Sequence, residues 1–300
     1  MNWRLRSTFT CYLVVLPSLA LLFTFVYLPV FWAFSKSLYE FEVGSPARFV
    51  GLDNYAEYLL RDPTCWPSLL NMLLLTLFAV AMRLTFPLLV ARLIYALPTE
   101  RSRHFYRILF LVPIVVPGVA VQLIWMGLVY GDRGLLNEVL RLAGLGGLAT
   151  GWLSDPNTAL AAVAMVGFPF IGGFEVLVYY AGFANIATSV NVAALLEGCV
   201  GVRKFFLIDL PLVLSQIKLM LILTIIGGVQ AFQNVFILTR GGPGFATNVP
   251  GMWMYLNAFS FQRMGYACAI GVLLFLLILG LTLFNLKYFK SAEQLQGKAP

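Results

Sequence analysis

Two charged side chains interrupt long apolar runs of this 300-residue sequence: Arg83 in AVAMRLTFP and Glu175 in IGGFEVLVYY. A charge at the centre of a membrane helix costs about 2.5–3.5 kcal/mol on insertion scales, so such side chains face a cavity or a partner. One interpretation pairs Arg83 with Glu175 between two helices. The other places Glu175 on the path of a polar solute. Its carboxylate can accept hydrogen bonds from the hydroxyl groups of such a solute.

A second polar cluster lies in the segment GGVQAFQNVF. Gln230, Gln233 and Asn234 fall on or near one face of a predicted helix, with Phe232 and Phe236 beside them. Amides bind hydroxyl groups and aromatic rings contact the C–H faces of a sugar, so the cluster suits a substrate path for a neutral carbohydrate. Hydrogen bonding between membrane helices explains the same residues equally well, and both alternatives stay open.

The residue types that catalyse reactions or bind metals are scarce. The four cysteines have no metal-ligand spacing, and the single histidine, His104, lies in a basic loop without a carboxylate cluster. The sequence also has no GxxxxGK[ST] phosphate-binding loop. We therefore expect no catalytic residue, no metal site and no cofactor bound by this chain, and a membrane enzyme is disfavoured.

Composition indicates that these residues belong to a membrane protein. Hydrophobic residues make up 60% of the chain, charged residues 11%, and the mean hydropathy is +0.87. Soluble domains carry about 25% charged residues. The formal net charge is +7, but the basic residues lie at the ends of apolar runs, as in proteins that contact membrane lipid. We therefore do not predict nucleic-acid binding.

Six apolar segments are long enough to cross a hydrocarbon layer of roughly 30 Å as helices. They cover residues 10–34, 68–95, 106–130, 158–184, 212–238 and 265–287. The sequence therefore predicts an all-α membrane protein with one six-helix transmembrane domain at residues 10–290. Residues 1–9 precede this domain, and a polar tail at residues 291–300 follows it.

The distribution of charge predicts the orientation of the spans. Lys and Arg are enriched in the short loops on the side of both termini, whereas Asp and Glu lean to the opposite side. Because basic loops stay in the cytoplasm, both termini and the loop at residues 187–211 are predicted to be cytoplasmic.

That loop contains the stretch NVAALLEGCVGVRKFFLIDLP, from Asn191 to Pro211. Apolar residues recur in it with helical spacing on both sides of Gly198, which predicts two short helices joined by a glycine. One interpretation is an interfacial helix packed on lipid headgroups. The other is a docking element for a cytoplasmic partner.

The same stretch resembles the EAA motif of ABC importer permeases, EAAxxDGAxxxxxFxxxxLP. Six positions match without a gap: Ala193, Ala194, Gly198, Phe205, Leu210 and Pro211. Val192 stands where the family has its first Glu, and Glu197 stands where it usually has Asp. The resemblance implies that the residues coupling this chain to an ATPase are Ala193, Ala194, Glu197, Gly198, Arg203, Phe205 and Pro211.

Four further segments resemble the carbohydrate, or maltose-type, branch of that family. They are FVGLDNY (Phe49–Tyr55), GLLN (Gly134–Asn137), LTRGGPGFAT (Leu238–Thr247) and MGYACAIGVLLFLLI (Met264–Ile278). The resemblance implies a type I importer permease with a coupling loop at residues 187–211 and an external GGP loop at residues 239–262. Its expected cargo is a sugar or oligosaccharide. The alternatives are another solute class, such as an amino acid or a glycerol-phosphate-like compound, and a secondary transporter.

The resemblance also implies partners. They are a second homologous permease subunit, two ATP-binding cassette subunits that bind ATP and Mg²⁺, and an extracytoplasmic solute-binding protein. Such proteins lie in the inner membrane of a bacterium or in the membrane of an archaeon, with both termini cytoplasmic. Hydrolysis of ATP would belong to the partner subunits.

Overall fold

A computed structural model describes residues 3–42 and 44–288 of the chain. The predicted tail at residues 291–300 lies outside the described residues. Within the described ranges, the regular structure is helical apart from one small antiparallel sheet. The predicted all-α fold class is confirmed.

The helices of the first half of the chain, in order, are α1 (Trp3–Leu22), α2 (Leu28–Lys36), α3 (Asp53–Ala56), α4 (Cys65–Tyr95), α5 (Glu100–Leu111), α6 (Gly118–Ile124), α7 (Leu135–Leu142) and α8 (Ala159–Met165). Those of the second half are α9 (Gly173–Ala184), α10 (Thr188–Leu196), α11 (Gly201–Lys204), α12 (Leu210–Leu212), α13 (Leu214–Val229), α14 (Gln233–Leu238), α15 (Pro250–Tyr255) and α16 (Met264–Tyr288). The sheet pairs β1 (Tyr39–Glu40) with β2 (Arg48–Phe49).

Single helical turns of other types adjoin these helices. The π-helical turns are Phe23–Tyr27, Glu57–Arg61, Trp125–Val129, Phe205–Asp209 and Leu256–Ser260. The 3₁₀ turns are Val112–Val115 and Gly146–Leu148.

Three helical stretches of the described chain are long and apolar enough to cross a membrane: Tyr12–Lys36, Cys65–Tyr95 and Met264–Asn285. Three further pairs of helices are long and apolar enough to cross a membrane when both helices of a pair are counted together, but each pair is bent by more than 40° at a short break. They are Glu100–Val115 with Gly118–Val129, Gly173–Ala184 with Thr188–Leu196, and Gly201–Leu212 with Leu214–Val229. The described residues therefore hold up to six spans, if each bent pair counts as one.

Three of the predicted spans are broken in the structure. The segment 106–130 breaks at Pro117, because proline disfavours helical backbone at the residue before it and Val116 is extended. The segment 158–184 breaks between α8 and α9, where Pro169 follows a cis peptide bond. The segment 212–238 breaks between α13 and α14, just after the helix-weakening pair Gly227–Gly228.

The chain forms two compact units, and the first combines Met1–Cys65 with Trp253–Leu276. Asp62 joins its segments. One oxygen of its carboxylate accepts hydrogen bonds from the Thr64 amide at 2.8 Å and the Thr64 hydroxyl at 2.6 Å. The other accepts from the Trp253 indole N–H at 2.7 Å and from the Tyr266 hydroxyl.

The Asp62 carboxylate is stabilised as an anion by these donors. Burial by itself raises the pKa of Asp62, but the hydrogen bonds from Thr64, Tyr266 and Trp253 together hold the pKa below its ordinary value. A lowered pKa in the folded state adds stability above the unfolded pKa of about 3.9. This stability is lost as the pH falls through the folded value.

The second unit combines Trp66–Met252 with Leu277–Pro300. Its core forms where α4, α9 and α13 pack together. Tyr179 and Phe183 of α9 are fully buried there, with Ala91 of α4 and Met220 of α13 in the same cluster. Burying such side chains contributes about 1.5–3 kcal/mol each relative to exposure to water. These three helices position the residues of the candidate site.

We predict that Asp62→Ala lowers the thermal stability of the purified chain in detergent. Each hydrogen bond to a charged acceptor contributes about 1.5–3 kcal/mol, and the half-buried position of Asp62 favours the lower end of that range. Unfolding can be followed by tryptophan fluorescence. Asp53→Ala is the control, since it removes only the exposed Asp53–Arg61 pair. Equal losses in both variants would contradict the role of Asp62.

Candidate functional site

A cavity of about 370 Å³ opens in the second unit, where α4 faces the break before α9 and the break after α13. Irregular backbone at membrane depth is tolerated where it is buried in protein or lines a cavity, which explains why the breaks and the cavity coincide. The polar lining residues are Arg83, Glu175, Thr224 and Asn234. The other lining residues are Leu75, Phe78, Ala79, Met82, Val163, Ala164, Val166, Gly167, Phe170, Ile171, Gly172, Gly227, Gly228, Ala231 and Val235.

Arg83 and Glu175 form an ion pair in the wall of this cavity. The Nη1 atom of Arg83 lies 3.2 Å from Oε1 of Glu175. The pairing with Arg83 and a position on a substrate path are therefore compatible for Glu175, because the same carboxylate pairs with Arg83 and lines the cavity. A role for Glu175 on a substrate path stays a prediction.

Gly172 and the start of α9 position the Glu175 side chain. Glu175 lies in the first turn of α9, where the helix dipole favours a negative charge. A Cβ atom on Gly172 would lie 2.0 Å from Oε2 of Glu175. Only glycine therefore leaves room for the carboxylate to fold back over the helix start.

The amide cluster is divided by the break between α13 and α14. Gln230 caps the end of α13, whereas Gln233 and Asn234 begin α14, so the common helical face predicted for them is wrong. Asn234 lines the cavity and accepts a hydrogen bond from the Gln122 amide of α6. Gln230, Phe232 and Gln233 are outside the cavity lining, and their assignment to a substrate path stays a prediction.

Two aromatic rings that the sequence did not single out line the cavity. Phe78 and Phe170 pack edge to face, with their centroids 5.4 Å apart. Phe170 has a φ of 61°, just after the Phe168–Pro169 cis peptide. Its placement depends on this irregular segment, and no periodic sequence pattern identifies either ring as a cavity residue.

The loop at residues 187–211, here called the EAA-like loop, contains the two predicted short helices, α10 and α11. The structure places Gly198 between them with a φ of 68°. The Gly198 amide donates to the Leu195 carbonyl at 3.0 Å, and the Cys199 amide donates to the Ala194 carbonyl at 2.8 Å. This is a Schellman motif, with Ala194 and Cys199 buried on its inner side.

The outer side of α10 is apolar and exposed. Val192, Leu195 and Leu196 have exposed fractions of 50%, 66% and 83%. Among the predicted coupling residues, Ala194 is buried and Phe205 is half-buried, whereas the others are exposed: Ala193, Glu197, Gly198, Arg203 and Pro211. Most of the predicted coupling residues therefore lie on the exposed surface of this loop. Their role in coupling stays a prediction.

Asp209 is the residue of this loop that sequence analysis missed. Its side chain is fully buried and accepts from Nε of Arg92 at 2.8 Å and from Nζ of Lys204 at 3.0 Å. The triad joins the end of α4 to the segment that leads into α13. An acid inside the apolar run FFLIDLP is a usable signal, since a buried charge requires a partner.

A second contact joins the EAA-like loop to the core. The Asn191 side-chain amide donates to the Tyr95 hydroxyl at 3.3 Å. The Tyr95 ring stacks on Phe183 of α9, with centroids 6.0 Å apart and an angle of 25° between the rings. The start of the loop is therefore attached to α4 and α9, as its end is attached through Asp209.

Hydrogen bonds hold the part of the GGP loop that belongs to the second unit. The Thr247 hydroxyl is bonded to the Thr239 hydroxyl and donates to the Gly242 carbonyl at 2.8 Å. The side-chain amide of Asn71 donates to the carbonyls of Ala246 and Asn248. The loop therefore folds back onto α4 in a defined conformation.

Helices long enough to span a membrane, a polar cavity at their breaks and a structured helical loop define a solute permease. No family model matches the chain. The chain is 31% identical over 284 residues to "Probable ABC transporter permease protein YurN" of Bacillus subtilis, covering 94% of this chain and 97% of the relative. The chain therefore belongs to the ABC transporter permeases, and the family resemblance of its motifs is confirmed.

Two further relatives have names that specify a cargo. "Sulfoquinovosyl glycerol transport system permease protein SmoG" of Agrobacterium fabrum is 30% identical, covering 94% of this chain and 90% of the relative. "Trehalose/maltose transport system permease protein MalF" of Thermococcus litoralis is 29% identical, covering 92% of each chain.

A solved structure shares the fold. It is a chain of a bacterial ABC transporter involved in the import of the acidic polysaccharide alginate. The TM-score is 0.81 and the sequence identity is 18%, covering 96% of this chain and 98% of the solved chain. This likeness confirms the importer-permease architecture of the helices.

We predict that Asp209→Ala destabilises the chain strongly, because it leaves the cations of Arg92 and Lys204 without their partner. Breaking a buried ion pair costs about 3–5 kcal/mol, and the small exposed fractions of both cations favour the lower end. The fraction of detergent-extracted protein that stays monodisperse on heating measures this loss.

Glu138→Ala is the matched control for Asp209→Ala. It removes an acid whose pair with Arg141 is about half-exposed, and surface pairs contribute little. We expect the control to stay within about 1 kcal/mol of the wild type. An Asp209→Ala protein as stable as this control would show that the triad does not hold the loop.

Proposed function

We propose that this chain is a membrane-spanning permease subunit of an ATP-driven, binding-protein-dependent importer for sugars or oligosaccharides. One structural observation carries the mechanism. The EAA-like loop leads through Asp209 and Pro211 into α13, and residues at the far end of α13, Thr224, Gly227 and Gly228, line the cavity. One helix thus connects a docking surface to the solute path.

This connection supports a mechanical role for the EAA-like loop. An ATPase that binds the exposed apolar side of α10 can move the loop as a rigid unit, because the Schellman turn fixes α10 relative to the following segment. The Asp209 triad then transmits the motion to α4 and α13. Both helices line the cavity, so a shift between them changes its access.

The cavity chemistry supports a carbohydrate cargo. Its volume lies within the range of about 300–1,000 Å³ that is typical of small-molecule sites. The Phe78 and Phe170 rings offer apolar faces to sugar C–H groups, and Arg83, Glu175 and Asn234 offer hydrogen bonds to polar substituents. Two of the relatives carry names of sugar or sugar-glycoside transport systems, which supports the same class.

The proposed partners follow from the family and the position of the loop. A second homologous permease subunit completes the translocation path, two ATP-binding cassette subunits bind ATP and Mg²⁺, and an extracytoplasmic binding protein delivers the solute. This chain itself is not an enzyme. Both termini and the EAA-like loop face the cytoplasm of a bacterial or archaeal cell, and the GGP loop at residues 239–262 faces the opposite side, where the solute arrives.

We predict that the chain purified alone hydrolyses no ATP, whereas the complete importer in proteoliposomes does. Adding the solute-loaded binding protein should stimulate hydrolysis and drive uptake. The readouts are phosphate release and accumulation of radiolabelled solute. Uptake driven by an ion gradient in vesicles that lack the ATPase subunits would instead establish a secondary transporter.

We predict that Gly198→Val uncouples the importer, while Gly198→Asn largely preserves it. A Cβ at Gly198 would meet open space, so the conflict is with the positive φ. That conformation costs roughly 1–2 kcal/mol for ordinary residues but is accessible to asparagine. Uptake by the valine variant should fall about tenfold or more, as expected for a loss above 1.4 kcal/mol in ATPase docking.

The amount of permease in the membrane should stay near normal in both Gly198 variants, because the turn lies outside the packed core. Co-purification of the ATPase subunits should weaken only in the valine variant. Wild-type uptake by Gly198→Val with the ATPase bound would show that this loop does not couple hydrolysis to transport.

A further inference from the structure

The Arg83–Glu175 pair is asymmetric in its access to the cavity. The Arg83 side chain is 55% exposed, whereas the Glu175 side chain is 13% exposed. Both residues line the cavity. The guanidinium is therefore the more accessible partner of the pair.

The Glu175 carboxylate lies between Arg83 and the start of α9. Oε1 faces Arg83, and Oε2 lies so close to Gly172 that no Cβ would fit there. The start of α9 adds a partial positive charge beside it. The negative charge of Glu175 is therefore balanced by Arg83 and by the start of α9.

The guanidinium of Arg83, in contrast, has N–H donors that the ion pair with Glu175 does not use. A guanidinium has five N–H donors in a planar fork, and the ion pair uses the Nη1 end. The guanidinium can bind a carboxylate or sulfonate through two parallel hydrogen bonds. A charged side chain that lines a cavity at membrane depth is costly even when it is paired, which favours a functional role.

No second acid offsets this positive charge among the described residues that line the cavity. The remaining polar lining residues are Thr224 and Asn234, which are uncharged, and the side-chain oxygen of Asn234 already accepts from Gln122. Because the acid of the pair is largely buried and the base is half-exposed, the more accessible charge in the cavity is positive.

We infer that Arg83 is a substrate-binding residue that receives the anionic group of an acidic sugar, and that Glu175 is the positioning residue that holds its guanidinium. This inference rests on the proposed function and names its substrate class. The Phe78 and Phe170 rings contact the sugar ring, and the acidic substituent points towards α4. Sequence analysis instead considered Glu175, and not Arg83, for the substrate path.

The test uses the complete importer in nanodiscs, with glucuronate and glucose as the probes. A ligand that binds the folded protein raises its melting temperature, so the shift reports affinity. We expect a larger shift with glucuronate than with glucose at equal millimolar concentrations. Potassium acetate at the same ionic strength controls for general salt effects. Equal shifts for the two sugars would overturn the inference.

Matched variants assign the roles. Arg83→Gln should weaken glucuronate binding at least about tenfold, as expected for the loss of charged hydrogen bonds, and should reduce the glucose shift much less. Glu175→Gln should keep the glucuronate shift, because an amide oxygen of the same shape can still accept from Arg83. Loss of the glucuronate shift in Glu175→Gln but not in Arg83→Gln would contradict the assignment.

Arg83→Lys keeps the test decisive if Arg83→Gln does not accumulate. It retains the charge and the pairing with Glu175 but loses the planar fork, so a reduced glucuronate shift supports the inference and an unchanged one opposes it. ATP-driven uptake of radiolabelled sugar is measured with the same importer in proteoliposomes, because nanodiscs enclose no space into which a solute can be taken up. Uptake that persists while the glucuronate preference is absent overturns only this inference, whereas absence of ATP-driven uptake overturns the proposed function.

Discussion

The structure depends on the rule that a charge removed from water must be paired inside the protein, and Asp209 shows its consequence most directly. Its carboxylate is fully buried and is held by Arg92 from α4 and Lys204 from α11. Neither cation could be withdrawn without leaving a buried charge, so the three residues fix the EAA-like loop against the core. A loop that was predicted from a motif is thereby given a definite attachment to two of the helices that line the cavity.

The same rule applied to the backbone explains the cavity. Peptide groups released at a helix break need partners, and within a membrane they find them only in the protein or in a water-filled space. Two of the breaks, before α9 and after α13, lie in the cavity wall. The break before α9 also places the start of that helix beside Glu175, whose carboxylate folds over Gly172 and orients Arg83. The positions of the charged side chains in the cavity therefore depend on the break in the helical backbone.

The loop and the cavity are parts of one mechanical arrangement, since α13 begins at the first and ends at the second. The fully buried residues Tyr179 and Phe183 of α9 pack with Met220 of α13, so displacements are transmitted as movements of whole helices. Gly198 belongs to this arrangement through its backbone conformation alone, because a side chain there would meet open space. Its role is to let α10 end in a turn that returns the chain towards Asp209.

The sequence by itself determined the class of fold, the EAA-like loop with its glycine-joined helices, and the family, because these depend on local properties: the length of apolar runs, helical periodicity and a motif read in register. It also marked Arg83 and Glu175 as charges that need an explanation. Only the tertiary structure decided how far each span is bent and which breaks line the cavity, since the apolar runs continue through the breaks. It alone paired Asp209 with Arg92, which lies 117 positions away in the chain. It alone showed that Arg83 is the more exposed member of the pair with Glu175, because the exposure of each partner depends on how α4, α9 and Gly172 meet in space.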